Sequence, residues 1–209
     1  MKHDTMRITS GDLTQLLGSR LCHDLVSPLG AIGNGVELLE MAPDFPGIGN
    51  SPELRLIAES VAAARMRIQA FRMAFGQSHG DQRLSRAELT GLAEGISAQG
   101  RLKIELDAEG DFARSEARMV MLALMCLETA LPWGGRIMVL HGSAGWRFVA
   151  EAGRTKPDPA LWQWLDGQGD RVRALSPSEV HFALLAEALQ RAGRQARYEV
   201  DEQGAELTF

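Results

Sequence analysis

Apolar residues recur every three or four positions along the first part of the chain, which is the spacing of a helix that buries one side. Ser10 precedes this repeat and is a good N-cap residue. The repeat stops near Met41, where two prolines and a glycine in residues 43–47 predict a loop. The pattern therefore predicts one long helix from about residue 10 to residue 41. Its apolar seam consists of Leu17, Leu21, Leu25, Pro28, Ile32, Gly35 or Val36, and Leu39.

A second long helix is predicted directly after this loop. Ser51 is a natural N-cap, and Pro52 suits the first helical position because its missing N–H has no helical partner there. Apolar residues then follow at alternating intervals of four and three, as in helical bundles, until Gly76 provides a C-terminal cap. They are Ile57, Val61, Ala64, Ile68, Phe71 and Phe75.

Two long helices joined by a short loop form an antiparallel hairpin. A single hairpin has too little partner surface to bury its own apolar seam. Pairing two hairpins across a two-fold axis forms a four-helix bundle that covers the seam. We therefore expect a homodimer, in which residues 1–80 form the helical hairpin domain.

The pattern changes after the polar segment 77–81, which we interpret as a linker. Ser85 and Glu88 match a capping box before a helix that ends near residue 100, and residues 102–106 alternate as a strand does. The elements predicted further on are helices at 115–131 and 176–192, a short helix around Trp162 and Trp164, and strands at 136–141, 146–152 and on either side of 201–204. Helices packed on one sheet make residues 81–209 a second domain of the α+β class.

Composition excludes several classes of function. The 209 residues carry a formal net charge of −5, and no basic cluster marks a nucleic-acid surface. No apolar run approaches the roughly 18 residues that a membrane span needs. The two cysteines, Cys22 and Cys126, lie in apolar helical patterns, and no apolar signal segment opens the chain. We therefore expect a cytoplasmic protein with reduced, buried cysteines, and neither nucleic acid nor a membrane as partner.

One histidine of the first helix lies off the apolar seam. At about 100° per residue, His23 is about 200° from both Leu21 and Leu25, so its imidazole points to solvent. A neutral imidazole is a competent nucleophile at pH 7.

The residues that surround His23 on the predicted helix are mostly small. Ser19, Ser27, Gly30 and Asn34 share its face, which lets helices of another protein approach the imidazole closely. Arg20, about one turn earlier, is placed to help neutralise the charge of a phosphoryl group. The predicted binding residues are therefore Ser19, Arg20, Ser27, Pro28, Gly30 and Asn34.

Pro28 lies inside the predicted helix, where proline typically costs about 3 kcal/mol or more. It leaves the carbonyl of Asp24 without its usual donor and bends the helix just after His23. A kink of this kind serves either a function or packing alone. A single surface histidine is also, in most proteins, only a surface residue. The whole run from His23 to Ile32, at the start of a helical hairpin, is what favours a chemical role.

Residues 22–35, CHDLVSPLGAIGNG, resemble the phospho-acceptor motif of sensor histidine kinases, in which His-Glu or His-Asp precedes a Pro-Leu step. They are still more similar to ChpT-type histidine phosphotransferases, whose order of elements this chain matches over nearly its whole length. That resemblance implies a fold of the α+β class: an antiparallel helical hairpin that forms a dimeric four-helix bundle, plus a degenerate histidine-kinase ATPase-like α/β sandwich. It also implies that His23 accepts the phosphoryl group and that Asp24 tunes or orients it.

The second domain distinguishes a kinase from a phosphotransferase. Where kinases carry two asparagines on a helix, this chain has Met125 and Thr129, and Mg²⁺ takes oxygen ligands rather than a thioether. Where kinases carry Asp-x-Gly-x-Gly, residues 151–155 read EAGRT and keep one glycine. Residues 176–182 replace the Gly-rich phosphate loop and contain no glycine. We therefore expect no ATP binding and no cofactor.

The expected function is a phosphorelay step in which His23 takes a phosphoryl group from one receiver aspartate and passes it to another. In the family, the donor is the receiver of a hybrid kinase, and the acceptors are response regulators that control the cell cycle. Two alternatives are open. A dimeric adaptor that binds receivers without chemistry would tolerate the loss of the imidazole. An active histidine kinase would bind nucleotide and Mg²⁺, against which the losses at Met125 and Thr129 argue.

Overall fold

The structure, a computed structural model, describes residues 10–42, 47–76, 82–97, 100–166 and 173–209. Within these ranges the chain forms six α-helices, one five-stranded mixed sheet and one two-stranded sheet, so the α+β class is confirmed. Residues 43–46 of the predicted loop and the predicted linker at 77–81 lie outside the described residues.

The first two helices are long and antiparallel, as the sequence predicts. Helix α1 spans Ser10–Glu40 with Pro28 in its interior, and α2 spans Pro52–Phe75 after a short 3₁₀ turn. The Ser51 hydroxyl accepts a hydrogen bond from the Leu54 amide at 3.3 Å, which confirms this residue as the N-cap.

Small residues of α1 make the contact with α2. A Cβ atom added to Gly18 would lie 2.9 Å from the carbonyl oxygen of Phe75, and one added to Gly33 would lie 3.6 Å from a methyl group of Val61. Cys22, between these glycines, is buried. The two helices therefore approach each other closely on either side of residue 22.

The leucine seam of α1 is not the contact between the two helices. Of its members, Val36 is buried, whereas the leucines and the isoleucine keep 41% to 59% of their surface exposed. Leu56 and Ile57 of α2 are exposed as well. Small residues decide this packing because the two backbones approach most closely where side chains are shortest, and the larger seam residues are left at the side. The exposed seam residues are Leu17, Leu21, Leu25, Ile32 and Leu39.

The remaining elements follow the order that the sequence predicts. Their bounds are β1 Arg83–Ser85, α3 Arg86–Ser97, β2 Leu102–Asp107, β3 Asp111–Ala113, α4 Arg114–Ala130, β4 Gly135–Gly142, β5 Gly145–Glu151, α5 Pro159–Trp162, α6 Val180–Arg191, β6 Arg197–Val200 and β7 Gly204–Thr208. Strands β1 and β3, which pair with each other as the small antiparallel sheet, are not predicted from the sequence.

The five-stranded sheet separates a core from a charged surface. Its strand order is β2-β4-β5-β7-β6, with β2 and β4 parallel and every other neighbouring pair antiparallel. On one face, alternate residues such as Val139, Phe148 and Leu207 are buried under the helices. On the other face, ion pairs including Arg147–Glu206 at 2.9 Å are exposed to solvent. One buried and one solvated face give a two-layer arrangement of helices on a sheet.

Helix α2 also packs against the second half of the chain. At Gly95 of α3, an added Cβ atom would collide with the carbonyl oxygen of Met66 and lie 3.2 Å from the Cβ atom of Ala70. Helix α3 therefore lies directly against the backbone of α2, and glycine is the residue that permits this approach.

Two arginines strengthen this contact. Arg67 of α2 donates to the carbonyl oxygen of Ile96 at 2.6 Å and forms an ion pair with Glu128 of α4 at 2.7 Å. Arg118 of α4 is buried and donates to the carbonyl oxygen of Ala74 at 3.0 Å. Helix α2 is thus held by α1 on one side and by α3 and α4 on the other.

The glycine contact at α3 predicts opposite effects for two neighbouring substitutions. Gly95→Ala lowers the free energy of unfolding by about 1–3 kcal/mol, because the new methyl group forces α3 away from α2. The control, Gly91→Ala, has open space around its added Cβ. It raises the free energy by about 0.5–1 kcal/mol through helix propensity alone. Chemical denaturation measures both, and equal shifts in the same direction would contradict the packing described.

Candidate functional site

His23 is exposed on α1, as its position relative to the leucine seam predicts. Its side chain keeps 75% of its surface accessible, and its Nδ1 atom lies 3.3 Å from Oδ1 of Asp24. The imidazole is therefore open to another protein while one of its two nitrogens has a carboxylate partner.

Asp24 connects His23 to Arg20. Its Oδ2 atom accepts a hydrogen bond from Nε of Arg20 at 2.8 Å. The hydrogen bond with His23, followed by the interaction with Arg20, holds the pKa of the Asp24 carboxyl below its ordinary value. An ionised carboxylate only accepts hydrogen bonds, so a neutral His23 donates from Nδ1–H and keeps the lone pair on Nε2. The nitrogen that keeps a free lone pair is therefore Nε2, the one that points away from Asp24.

The other predicted binding residues fall into two groups. Ser27 and Asn34 are exposed, an added Cβ on Gly30 meets nothing within 4 Å, and Ser19 is half-buried near the end of α2. These residues share the His23 side of the helix. Pro28 is exposed but lies about 140° from His23 around the helix, so it belongs to the side of the leucine seam.

A second polar site lies where α2, α4 and the start of α6 meet. A cavity of about 320 Å³ is bordered there by Met125, Thr129 and His181, among others. The Thr129 hydroxyl donates to the carbonyl oxygen of Met125 at 3.0 Å and lies 3.1 Å from Nε2 of His181. Because the hydroxyl has one proton, His181 is the donor to it through Nε2–H. This pair joins residues that are distant in sequence, so no local pattern predicts it.

Charged side chains fix the segment before α6. Arg173 donates to Glu179 at 2.8 Å and to Asp158 at 2.9 Å, and the Ser176 amide donates to Glu179 at 2.9 Å. The predicted capping box at Ser176 is confirmed. The hydrogen bonds from Arg173 and Ser176 lower the pKa of Glu179 to about 2. Side chains rather than glycine amides thus define this segment.

The described residues contain neither a metal-ion cluster nor a membrane-spanning helix. Among the residues that the structure describes, no group of three or more His, Cys, Asp or Glu side chains is arranged to hold a metal ion. None of the helices in the described ranges combines the length and the apolar character needed to cross a bilayer. Both Cys22 and Cys126 are buried free thiols, as predicted.

Comparison with known proteins identifies the class of this protein. The family model described as Histidine phosphotransferase C-terminal domain matches residues 86–204, which extend from α3 to the start of β7 and make up more than half of the chain. The chain therefore belongs to the histidine phosphotransferase family.

Individual relatives are consistent with this class. The protein phosphotransferase ChpT of Brucella abortus (strain 2308) is 35% identical over 139 residues, which are 63% of this chain and 62% of that protein. The match therefore spans less than two thirds of that relative. The fold is similar to a bacterial phosphotransferase solved at 1.7 Å resolution, with a TM-score of 0.64 and 21% identity, covering 97% of each chain.

Burial of His181 makes stability depend on pH. Desolvation lowers the pKa of this imidazole from 6.5 to about 4. Between these values the unfolded chain binds a proton that the folded chain excludes, so the free energy of unfolding falls as the pH drops from 6.5 towards 4, by up to about 3 kcal/mol. The comparison is the unfolding free energy of wild type and His181→Gln at pH 7 and pH 4.5. The difference in unfolding free energy between wild type and His181→Gln narrows or reverses at pH 4.5. An equal difference at both pH values would contradict this assignment.

Proposed function

We propose that this chain is a phosphorelay intermediate in which His23 accepts a phosphoryl group from the receiver aspartate of a hybrid kinase and passes it to receiver aspartates of response regulators. One observation carries the proposal: an exposed imidazole whose Nδ1 faces an ionised carboxylate. This arrangement leaves Nε2 free as a nucleophile on a surface that another protein can reach. Membership of the histidine phosphotransferase family supports the same reaction.

Each transfer is an in-line displacement at phosphorus. The Nε2 lone pair of His23 forms a bond to the phosphorus atom while the bond from phosphorus to the donor carboxylate oxygen breaks, and its electron pair returns to that carboxylate. The ring becomes cationic while phosphorylated and keeps its proton on Nδ1, where the Asp24 carboxylate stabilises it. The second step is the reverse displacement by another receiver's aspartate. Mg²⁺ is supplied by the receivers in this scheme.

The surrounding residues have supporting roles in this proposal. Arg20 is paired with Asp24 and keeps that carboxylate in place beside the imidazole. Small residues surround His23 on this face of α1, so that receiver helices can approach closely. They are Ser19, Ser27, Gly30 and Asn34. Pro28 removes a helical hydrogen bond to the carbonyl of Asp24 and shapes the helix after the site. The sequence predicts that the small residues and Pro28 belong to the binding surface, whereas it assigns Arg20 to the phosphoryl charge; the pairing of Arg20 with Asp24 comes from the structure.

We also propose that the protein is a homodimer whose hairpins, residues 1–80, form a four-helix bundle, with residues 81–209 as a kinase ATPase-like domain. The exposed leucine seam of α1, together with Leu56 and Ile57, supports this arrangement because so many large apolar side chains along one side are costly in water. The side of α1 that carries His23 stays outside the bundle. A soluble cytoplasmic location fits partners that are themselves signalling receivers.

The relay proceeds without ATP in this proposal. Met125 is 6% exposed and offers no oxygen ligand for Mg²⁺ at the place of a kinase asparagine. The Thr129 hydroxyl is hydrogen-bonded to His181, and Arg67 of α2 forms an ion pair with Glu128 at the border of the same cavity. Protein contacts thus occupy the polar groups with which a kinase would hold a nucleotide.

The relay predicts transfer that depends on one imidazole. The purified protein, with ATP removed, is incubated with a receiver domain that carries a radiolabelled aspartyl phosphate. Label appears on this chain, is lost in acid and survives base, and is absent from His23→Ala. A pull-down with the same receiver is the control, because the variant still binds it. Equal labelling of wild type and His23→Ala would contradict the relay, and receiver binding without any label would favour an adaptor.

The dimer predicts that one face of α1 is sensitive to charge. Leu21→Asp places a carboxylate on the leucine seam and converts the dimer to monomers in analytical ultracentrifugation. Leu38→Asp is the matched control, because Leu38 is 65% exposed on the same helix but lies about 100° from Leu21. It leaves the dimer intact. A monomeric wild type, or a dimer that survives Leu21→Asp, would contradict this interface.

A further inference from the structure

Arg72 of α2 lies at a level of the hairpin close to that of His23. Oγ of Ser19 is 3.1 Å from the place that a Cβ atom on Gly76 would take. Residues four apart lie on one face of a helix. His23 is four residues after Ser19 on α1, and Arg72 is four residues before Gly76 at the end of α2. Because the two helices are antiparallel, one turn forward on α1 corresponds to one turn back on α2. This register therefore places Arg72 on α2 at about the level of His23 on α1.

The distance between the two helices is short at this level. Gly18 admits the backbone of Phe75, and Cys22, next to His23, is buried between the helices. Burial raises the pKa of the Cys22 thiol, and the charge of Arg72 acts against that increase. The guanidinium of Arg72 thus lies within electrostatic reach of the residue directly before His23.

Of the two arginines near His23, Arg20 and Arg72, only one is paired with an acidic side chain in the described part of the chain. Arg20 is paired with Asp24 at 2.8 Å, on the side of the Nδ1 atom of His23. Arg72 is exposed and has no acidic partner within the described part of the chain. Its guanidinium is therefore available to an anion that arrives at the open side of the imidazole.

We infer that Arg72 is a catalytic residue of the transfer: its guanidinium contacts the phosphoryl oxygens while the group passes between a receiver aspartate and His23. This inference rests on the proposed relay and deepens it by assigning the cation that receives the substrate's charge. It also moves the charge-neutralising role from Arg20, where the sequence analysis placed it, to the opposite helix.

The chemistry of the step explains why a cation is useful there. As the bond from Nε2 to phosphorus forms and the bond to the carboxylate oxygen breaks, negative charge is spread over the three equatorial oxygens. A planar guanidinium donates two parallel hydrogen bonds to such oxygens and carries the opposite charge. Arg72 exchanges no proton and forms no covalent bond, so it acts equally in the forward and the reverse transfer.

Arg65 provides a matched control on the same helix. It is exposed, and its Nη1 atom lies 3.5 Å from the place of a Cβ atom on Gly33 of α1. It precedes Arg72 by two turns, or about 10 Å along the helix, so it lies on the same side but too far along to reach the phosphoryl group. Arg65 attracts an acidic receiver as Arg72 does, without touching the reacting atoms.

The experiment is single-turnover transfer from a receiver domain that carries a radiolabelled aspartyl phosphate, over a range of concentrations of the dimeric full chain. Arg72→Gln lowers the maximal rate at saturation by at least about tenfold, and Arg72→Lys lies between it and wild type. Arg65→Gln keeps the maximal rate and raises only the half-saturating concentration, with a weaker dependence on salt. Circular dichroism of each variant checks that the fold is retained.

The outcomes separate this inference from the proposed relay. If Arg72→Gln reaches the wild-type maximal rate while His23→Ala transfers nothing, the relay stands and the role of Arg72 is refuted. If Arg72→Gln and Arg65→Gln change only the half-saturating concentration, both act by attraction alone and the inference is again overturned. If wild type accepts no label from any receiver, the relay fails and the inference fails with it.

Discussion

The close approach of α1 to α2 determines where the candidate site lies relative to the rest of the chain. Glycines at 18 and 33 and the thiol of Cys22 let the two backbones come together, and no larger side chain fits at Gly18 without moving Phe75. The same α2 is fixed on its other side by the glycine contact from α3 and by Arg67. Helix α2 is therefore held on both sides, and α1 packs on it, so the residues that α1 exposes have a defined position relative to the second half of the chain.

A defined position suits a site that has few functional groups of its own. His23 stands in solvent on a supported helix, and its ring is oriented by one carboxylate that is in turn held by Arg20. In-line phosphoryl transfer depends mainly on position and electrostatics, which is what a fixed helix and a few charges can supply. Thr129 and His181 are hydrogen-bonded to each other beside a cavity at α4. This pairing supports the proposal that the chain transfers a phosphoryl group without binding ATP.

Features with a local sequence signal were predicted well. The two long helices follow from apolar spacing, and the caps at Ser51, Ser85 and Ser176 follow from a side chain that bonds an amide three residues later. The exposure of His23 follows from its angle to the leucines, because a helix has a fixed rotation per residue. Its chemical role came from resemblance and remains a proposal.

Features that depend on contacts between distant elements were missed. Gly18 makes its contact because it has no side chain, so a pattern of apolar residues does not reveal it. That pattern indicates the leucine seam instead. Strands of three residues, such as Arg83–Ser85, are too short to show alternation. The position of Arg72 relative to His23 depends on how two helices pair, which neither helix reveals alone.

The central claim is that Asp24 holds the proton on Nδ1 of His23 and so leaves Nε2 to take the phosphoryl group. NMR spectroscopy of ¹⁵N-labelled protein, phosphorylated by a receiver domain, identifies the modified nitrogen through its coupling to phosphorus. A single phosphohistidine is expected at position 23, linked through Nε2, with the proton on Nδ1. A phosphoryl group on Nδ1, or on any other residue, would contradict it.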